Sequence, residues 1–171
     1  MNLPNKLTIV RIIMIPLFMI FLLCGMWKTA GVIFALASFT DFLDGYIARK
    51  NNIVTTFGKF ADPLADKLLT ASAFLCLIEV AGMYSWIAFV IIAREFIVTG
   101  LRLIAMSENR VLAAGKGGKI KTVAQMLAVL AVLFFHITGI WMNVIMIIVA
   151  ILTVYSGAVY LYQNRDLLKV M

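Results

Sequence analysis

The chain has 171 residues, 64% of them hydrophobic and 13% charged, with a formal net charge of +7 and a mean hydropathy of +1.05. That composition excludes an ordinary soluble domain, and it predicts one polytopic membrane domain over residues 1–171. The basic residues lie between apolar runs rather than on a polar domain, which argues for anionic headgroups or phosphorylated substrates and against nucleic acid.

Hydropathy predicts an all-α bundle of six transmembrane helices, at about 7–27, 29–50, 60–80, 85–107, 120–138 and 141–161. The first follows Pro4, with Asn5 or Thr8 able to cap its start. It lacks a small-residue cleavage site and five more spans follow, so it is expected to stay in the mature protein. Arg11 lies one turn in, where it either snorkels to the headgroups or lines an internal polar cavity. Cys24 and Cys76 are the only cysteines, both in apolar runs, and read as buried reduced thiols.

The second span carries Asp41, Asp44 and Arg49 near its C-terminal end, and the third carries Asp62 and Asp66 near its start. The loop between them is polar and basic. The fourth span holds Arg94, Glu95 and Arg102; Arg94 and Glu95 are neighbours that do not share a helix face, so Glu95 is better placed to pair elsewhere. Residues 107–122 then interleave glycines with Arg110, Lys116, Lys119 and Lys121, a seat for a phosphate dianion or a lipid-attracting basic loop. The spacing is not that of a Walker loop. His136, the only histidine, reads as an interfacial or packed residue.

If both termini share a side with the second and fourth loops, that side collects Lys6, Arg49, Lys50, Lys59, Arg110, Lys116, Lys119, Lys121, Arg165 and Lys169, while the other has only Lys28. The positive-inside rule then puts the termini, the aspartates and both basic loops at the cytoplasmic face of the cell membrane.

Four of the eight acidic residues fall between Asp41 and Asp66, flanked by segments long enough to cross a bilayer. Ionisable groups in such a place are a functional-site hypothesis by default. Asp41 and Asp44 share one helix face, and Asp62 and Asp66 share another. Carboxylates converging across a helical hairpin repel one another unless cations fill the space between them. All-oxygen donors without His or Cys favour Mg²⁺, Mn²⁺ or Ca²⁺ over zinc, and Gly45 and Ala48 allow close approach of backbone or ligand.

The spacing D-x2-D-G-x2-A-R-x8-G-x3-D-x3-D, running from Asp41 through Gly45, Ala48, Arg49, Gly58 and Asp62 to Asp66, resembles the signature of the CDP-alcohol phosphotransferase family of membrane enzymes. That resemblance implies two Mg²⁺ or Mn²⁺ ions held by Asp41, Asp44, Asp62 and Asp66, with Asp66 also the general base. It implies a CDP moiety against Asp41, Asp44, Gly45, Ala48, Arg49, Gly58 and Lys59, with Asn5 and Thr8 near the nucleotide, and a homodimer in the membrane. Residues 93–102 and 115–125 are similar to the phosphatidylglycerophosphate synthase branch. By that likeness Arg94, Arg110, Lys116, Lys119 and Lys121 would bind the acceptor phosphate. The reaction so implied moves a phosphatidyl group from CDP-diacylglycerol to sn-glycerol 3-phosphate, with serine, inositol phosphate or phosphatidylglycerol as competing acceptors. An ion transporter is the rival from another class, disfavoured by the absence of acidic residues midway through spans five and six and of any inverted repeat.

Overall fold

The computed structural model describes the backbone of residues 3–50, 56–107 and 116–165, and the side chains of residues 7–40, 64–105 and 117–165. Within them the chain is all-helical: α1 Leu3–Leu23, α2 Trp27–Lys50, α3 Thr56–Ala81, α4 Ser85–Ser107, α5 Lys116–Phe135 and α6 Gly139–Gln163. Each helix overlaps one predicted span. The differences lie at the polar ends, where α1, α3 and α5 each start before the apolar run does. Asn5 and Thr8 consequently lie inside α1 rather than at its start. Pro4 is tolerated there because a first-turn N–H has no intrahelical partner to lose.

Helix α1 packs on α2 and α3, α5 joins α2 to α6, and α4 lies between α3 and α6. The shared core is built from Phe18, Leu22, Phe34, Phe74, Leu77, Ile91, Leu133 and Met146. Phe18 and Phe34 meet with ring centroids 5.6 Å apart in a tilted pair, a favourable aromatic geometry. Arg11 is fully buried, and its Nε donates to the Ala37 carbonyl at 3.3 Å. Snorkelling is thereby overturned: the α2 carbonyl takes this guanidinium inside the bundle, one turn before Asp41.

Three tight turns, at residues 24–26, 82–84 and 136–138, gather at one end of the bundle. Trp27 stacks on His136 with centroids 4.0 Å apart, tying the first turn to the third. Asn143 of α6 accepts from the Tyr84 N–H at 2.9 Å and donates to the Gly82 carbonyl at 3.0 Å and the Gly139 carbonyl at 2.9 Å, tying the third turn to the second. Gly25 and Gly82 take positive φ of 77° and 72°, a conformation open to glycine at little cost. With the turns at this end, the C-terminal ends of α2 and α4 and the starts of α3 and α5 lie at the other.

The outer surface is apolar, with Phe89, Phe135, Trp141 and Tyr155 each at least 70% exposed. Among the described residues two helical stretches, Gly117–Phe135 and Gly139–Gln163, are long and apolar enough to cross a membrane. Helix α4 is interrupted by Arg94, Glu95 and Arg102, whose side chains turn inward. Of the two cysteines, Cys76 is buried as expected, whereas Cys24 is exposed because it sits just past the end of α1.

Candidate active site

The end of the bundle opposite the three turns holds a cavity of about 470 Å³ bounded by α2, α3, α4 and α5. Ser38 comes from α2, Asp66 and Lys67 from α3, Arg94, Glu95 and Arg102 from α4, and Lys119 and Lys121 from α5. Apolar helices bring these charges together because each would otherwise face hydrocarbon, and each finds its partners on neighbouring helices.

Glu95 is the centre of the arrangement. It is only 6% exposed and receives cations from three helices. Lys67 Nζ lies 3.1 Å from Oε2, Lys121 Nζ pairs with Oε1, and Arg94 Nη1 lies 3.4 Å from Oε1. The expected pairing of Glu95 with another helix is therefore found, with the neighbouring Arg94 making a third, longer contact. Lys67 also donates to Asp66 Oδ2 at 2.6 Å, so one ammonium bridges the two carboxylates. A smaller recess beside this network is lined by Thr70, Thr122 and Gln125, and Gln125 Oε1 is buried there with no hydrogen-bond partner among the described residues.

Arg94 is spent within the protein. Its Nε donates to the Thr153 carbonyl at 3.1 Å and its Nη2 to the Ser156 hydroxyl at 3.0 Å, so it straps α4 to α6 while still lining the cavity. Arg102 donates through Nε to the Tyr160 hydroxyl at 3.2 Å, with its guanidinium carbon 5.1 Å from the centre of that ring. A second cavity, of about 410 Å³, lies beyond these arginines against Gly117, Tyr155, Ser156 and Tyr160.

Of the residues singled out from sequence, Asp66, Arg94, Lys119 and Lys121 come together on one cavity wall. Thr8 is fully buried in α1 and is not part of that wall. The side chains of Asn5, Asp41, Asp44, Gly45, Ala48, Arg49, Gly58, Lys59, Asp62, Arg110 and Lys116 lie outside the described residues. Their backbone register is visible in part: Asp41 and Asp44 fall in the last turns of α2, and Asp62 is one turn before Asp66 in α3. Ser38, three residues before Asp41, lines the same cavity as Asp66, which brings that stretch of α2 to the site. The aspartate signature includes neither Lys67 nor Ser38. A signal for Lys67 existed: a lone cation in an apolar helix, next to a carboxylate, must find a counter-charge.

A family model described as CDP-alcohol phosphatidyltransferase matches residues 1–155. The chain belongs to the CDP-alcohol phosphatidyltransferase family. Relatives of this member agree over nearly its whole length. A Bacillus subtilis (strain 168) protein named CDP-diacylglycerol–glycerol-3-phosphate 3-phosphatidyltransferase is 42% identical over 98% of this chain and 97% of its own. Proteins of the same name from Rickettsia typhi, 37% identical over 93% of this chain and 94% of its own, and Shigella flexneri serotype 5b, 39% identical over 98% and 97%, are also similar.

The donor chemistry at Asp66 fits the divalent metal expected of a CDP-alcohol phosphatidyltransferase. Oδ2 is held by Lys67, while Oδ1 takes no hydrogen bond from the described residues, so a hard oxygen ligand remains on the cavity wall. The described residues alone contain no group of three His, Cys, Asp or Glu that would complete a metal site, and Asp41, Asp44 and Asp62 are the further carboxylates that the signature supplies.

Proposed function

We propose that this protein transfers the phosphatidyl group of CDP-diacylglycerol to the hydroxyl of sn-glycerol 3-phosphate, giving phosphatidylglycerophosphate and CMP, as a step in phospholipid biosynthesis. The observation that carries the reading is the shared cavity: the carboxylate of Asp66 and the cations of Lys67, Arg94, Arg102, Lys119 and Lys121 line one space. A reaction between a diphosphate donor and a phosphorylated alcohol needs this combination, a proton acceptor within one molecule's length of several cationic donors.

Asp41, Asp44, Asp62 and Asp66 are the residues that would hold two Mg²⁺ or Mn²⁺ ions, which when bound neutralise charge on the diphosphate. Asp66 takes the proton of the acceptor hydroxyl as its oxygen bonds to the lipid-linked phosphorus. The bond from that phosphorus to the bridging oxygen breaks, and CMP leaves with the electron pair. By the signature Gly45, Ala48, Arg49, Gly58 and Lys59 would lie along the CDP moiety, with Asn5 toward the nucleotide, whereas the fully buried Thr8 is left as a packing residue of α1. Lys116, Lys119 and Lys121 of α5, with Arg110 from the preceding segment and Arg94 of α4, receive the acceptor phosphate. Lysines meet the phosphate as mobile point charges, whereas the strapped Arg94 contributes a fixed one.

The domain crosses the membrane six times as a homodimer subunit, with both termini and the active site at the cytoplasmic face. The apolar outer surface, the inward charges of α4 and the distribution of basic residues support that reading.

The deciding experiment is an assay of purified protein in detergent with CDP-diacylglycerol and, in turn, glycerol 3-phosphate, serine, inositol phosphate and phosphatidylglycerol. Expected is CMP release only with glycerol 3-phosphate, abolished by chelator and restored by Mg²⁺ or Mn²⁺. Turnover only with an acceptor that lacks a phosphate monoester would overturn the assignment.

A further inference from the structure

We infer that Glu95 is a positioning residue for the acceptor half of the site, setting where the ammonium of Lys121 stands when an anionic acceptor arrives. The inference rests on the reading just given, in which Lys121 meets the acceptor phosphate.

A buried ion pair adds little net stability, since desolvation offsets most of the attraction. One carboxylate buried among three cations is thus poorly explained as a fastener alone. Arg94 has its own anchorage on α6 through Thr153 and Ser156, and Lys67 has Asp66. Lys121 differs from both: among the described residues Glu95 is its one ionic partner. Its side chain is 5% exposed on a flexible stem of four carbons, so without Glu95 only the longer-range attraction of Asp66 is left to hold its charge. The cations of Arg94 and Lys67 would instead drive it away.

An ammonium carries three donors. Glu95 takes one from Lys121, leaving two for phosphate oxygens. The carboxylate itself would repel a phosphate, so its effect on the acceptor is exerted through the lysine it holds. Glu95 also grips Lys67, which bonds Asp66, so the same side chain spans from the proton acceptor on α3 to the phosphate-binding lysine on α5.

The test is a double-substitution cycle on the full chain in detergent micelles, comparing wild type, Glu95→Gln, Lys121→Gln and the double variant, with KM read separately for glycerol 3-phosphate and CDP-diacylglycerol. Expected for E95Q is an acceptor KM raised about tenfold or more with the KM for CDP-diacylglycerol within about twofold, and little further loss when E95Q is added to K121Q. Equal changes in both KM values, or independent penalties in the double variant, would overturn the inference, since a merely structural role predicts either. If E95Q is not recovered folded, E95D carries the test: it keeps the charge and shortens the reach, and should raise the acceptor KM about threefold with the same non-additivity. Wild-type acceptor KM in E95D, or additivity with K121Q, overturns it as well. Wild-type protein inactive with glycerol 3-phosphate overturns the functional reading and this inference together, whereas an active wild type with unmoved variants removes only the role of Glu95.

Discussion

Gly157 of α6 and Arg94 of α4 are fitted to one another: a Cβ at position 157 would lie 2.9 Å from both Cγ and Nε of Arg94. The absence of a side chain there lets the arginine stem lie against α6 and reach Thr153 and Ser156. Gly157→Ala would gain about 1 kcal/mol of helix propensity but force a well-anchored side chain to move, at about 1–3 kcal/mol. The expected net effect is a loss of up to about 2 kcal/mol, seen as a lowered thermal midpoint in detergent. The acceptor KM should rise as well, because Arg94 is displaced from the cavity wall.

Lys67 stands between two carboxylates, so its removal should cost stability as well as rate. Lys67→Met leaves Asp66 and Glu95 facing each other without their shared cation. Deleting one partner of a fully buried pair costs about 3–5 kcal/mol; here Glu95 keeps Arg94 and Lys121 and Asp66 is partly exposed, so the loss should fall below that range. Thermal unfolding of the purified variant checks the stability loss, and CMP release checks the accompanying fall in turnover.

Asp66→Asn should retain part of the metal binding but lose turnover by about 10²–10⁴-fold, the usual contribution of a positioned general base. Manganese binding followed by paramagnetic resonance, alongside CMP release, separates the two effects. Near-normal turnover would remove Asp66 from the role of base and leave it as a ligand alone.

At the far end of the bundle Asn143 binds the Tyr84 N–H and the Gly82 carbonyl of the second turn and the Gly139 carbonyl at the start of its own helix. Asn143→Ala removes these part-buried bonds and leaves the partner groups to solvent, at about 0.5–1.5 kcal/mol per lost bond, and the thermal midpoint should fall accordingly. The folded fraction should keep its KM for both substrates, because Asn143 lies at the end of the bundle away from Asp66 and Glu95.

Much of this was legible along the chain. Stretches of apolar residues give each of the six helices its own local signal, and the recurrence of aspartates three and four residues apart places pairs on one face of α2 and of α3. The sequence is ambiguous or misleading at positions where the answer depends on a neighbour. Arg11 allowed two readings because hydropathy cannot tell a guanidinium that reaches water from one that finds the Ala37 carbonyl inside. Cys24 reads as buried from its apolar run, which does not reveal where the helix ends, and it is exposed.

What the amino-acid order determined by itself was periodic and local: where helices form, which ones carry charge, and which acidic residues share a face, since helical geometry follows from spacing alone. Only the tertiary structure decided which charges meet. Glu95 draws its partners from α3, α4 and α5, and Arg94 depends on a missing side chain on α6. Such contacts are set by the rotation and packing of whole helices against one another, and no single stretch of chain encodes that.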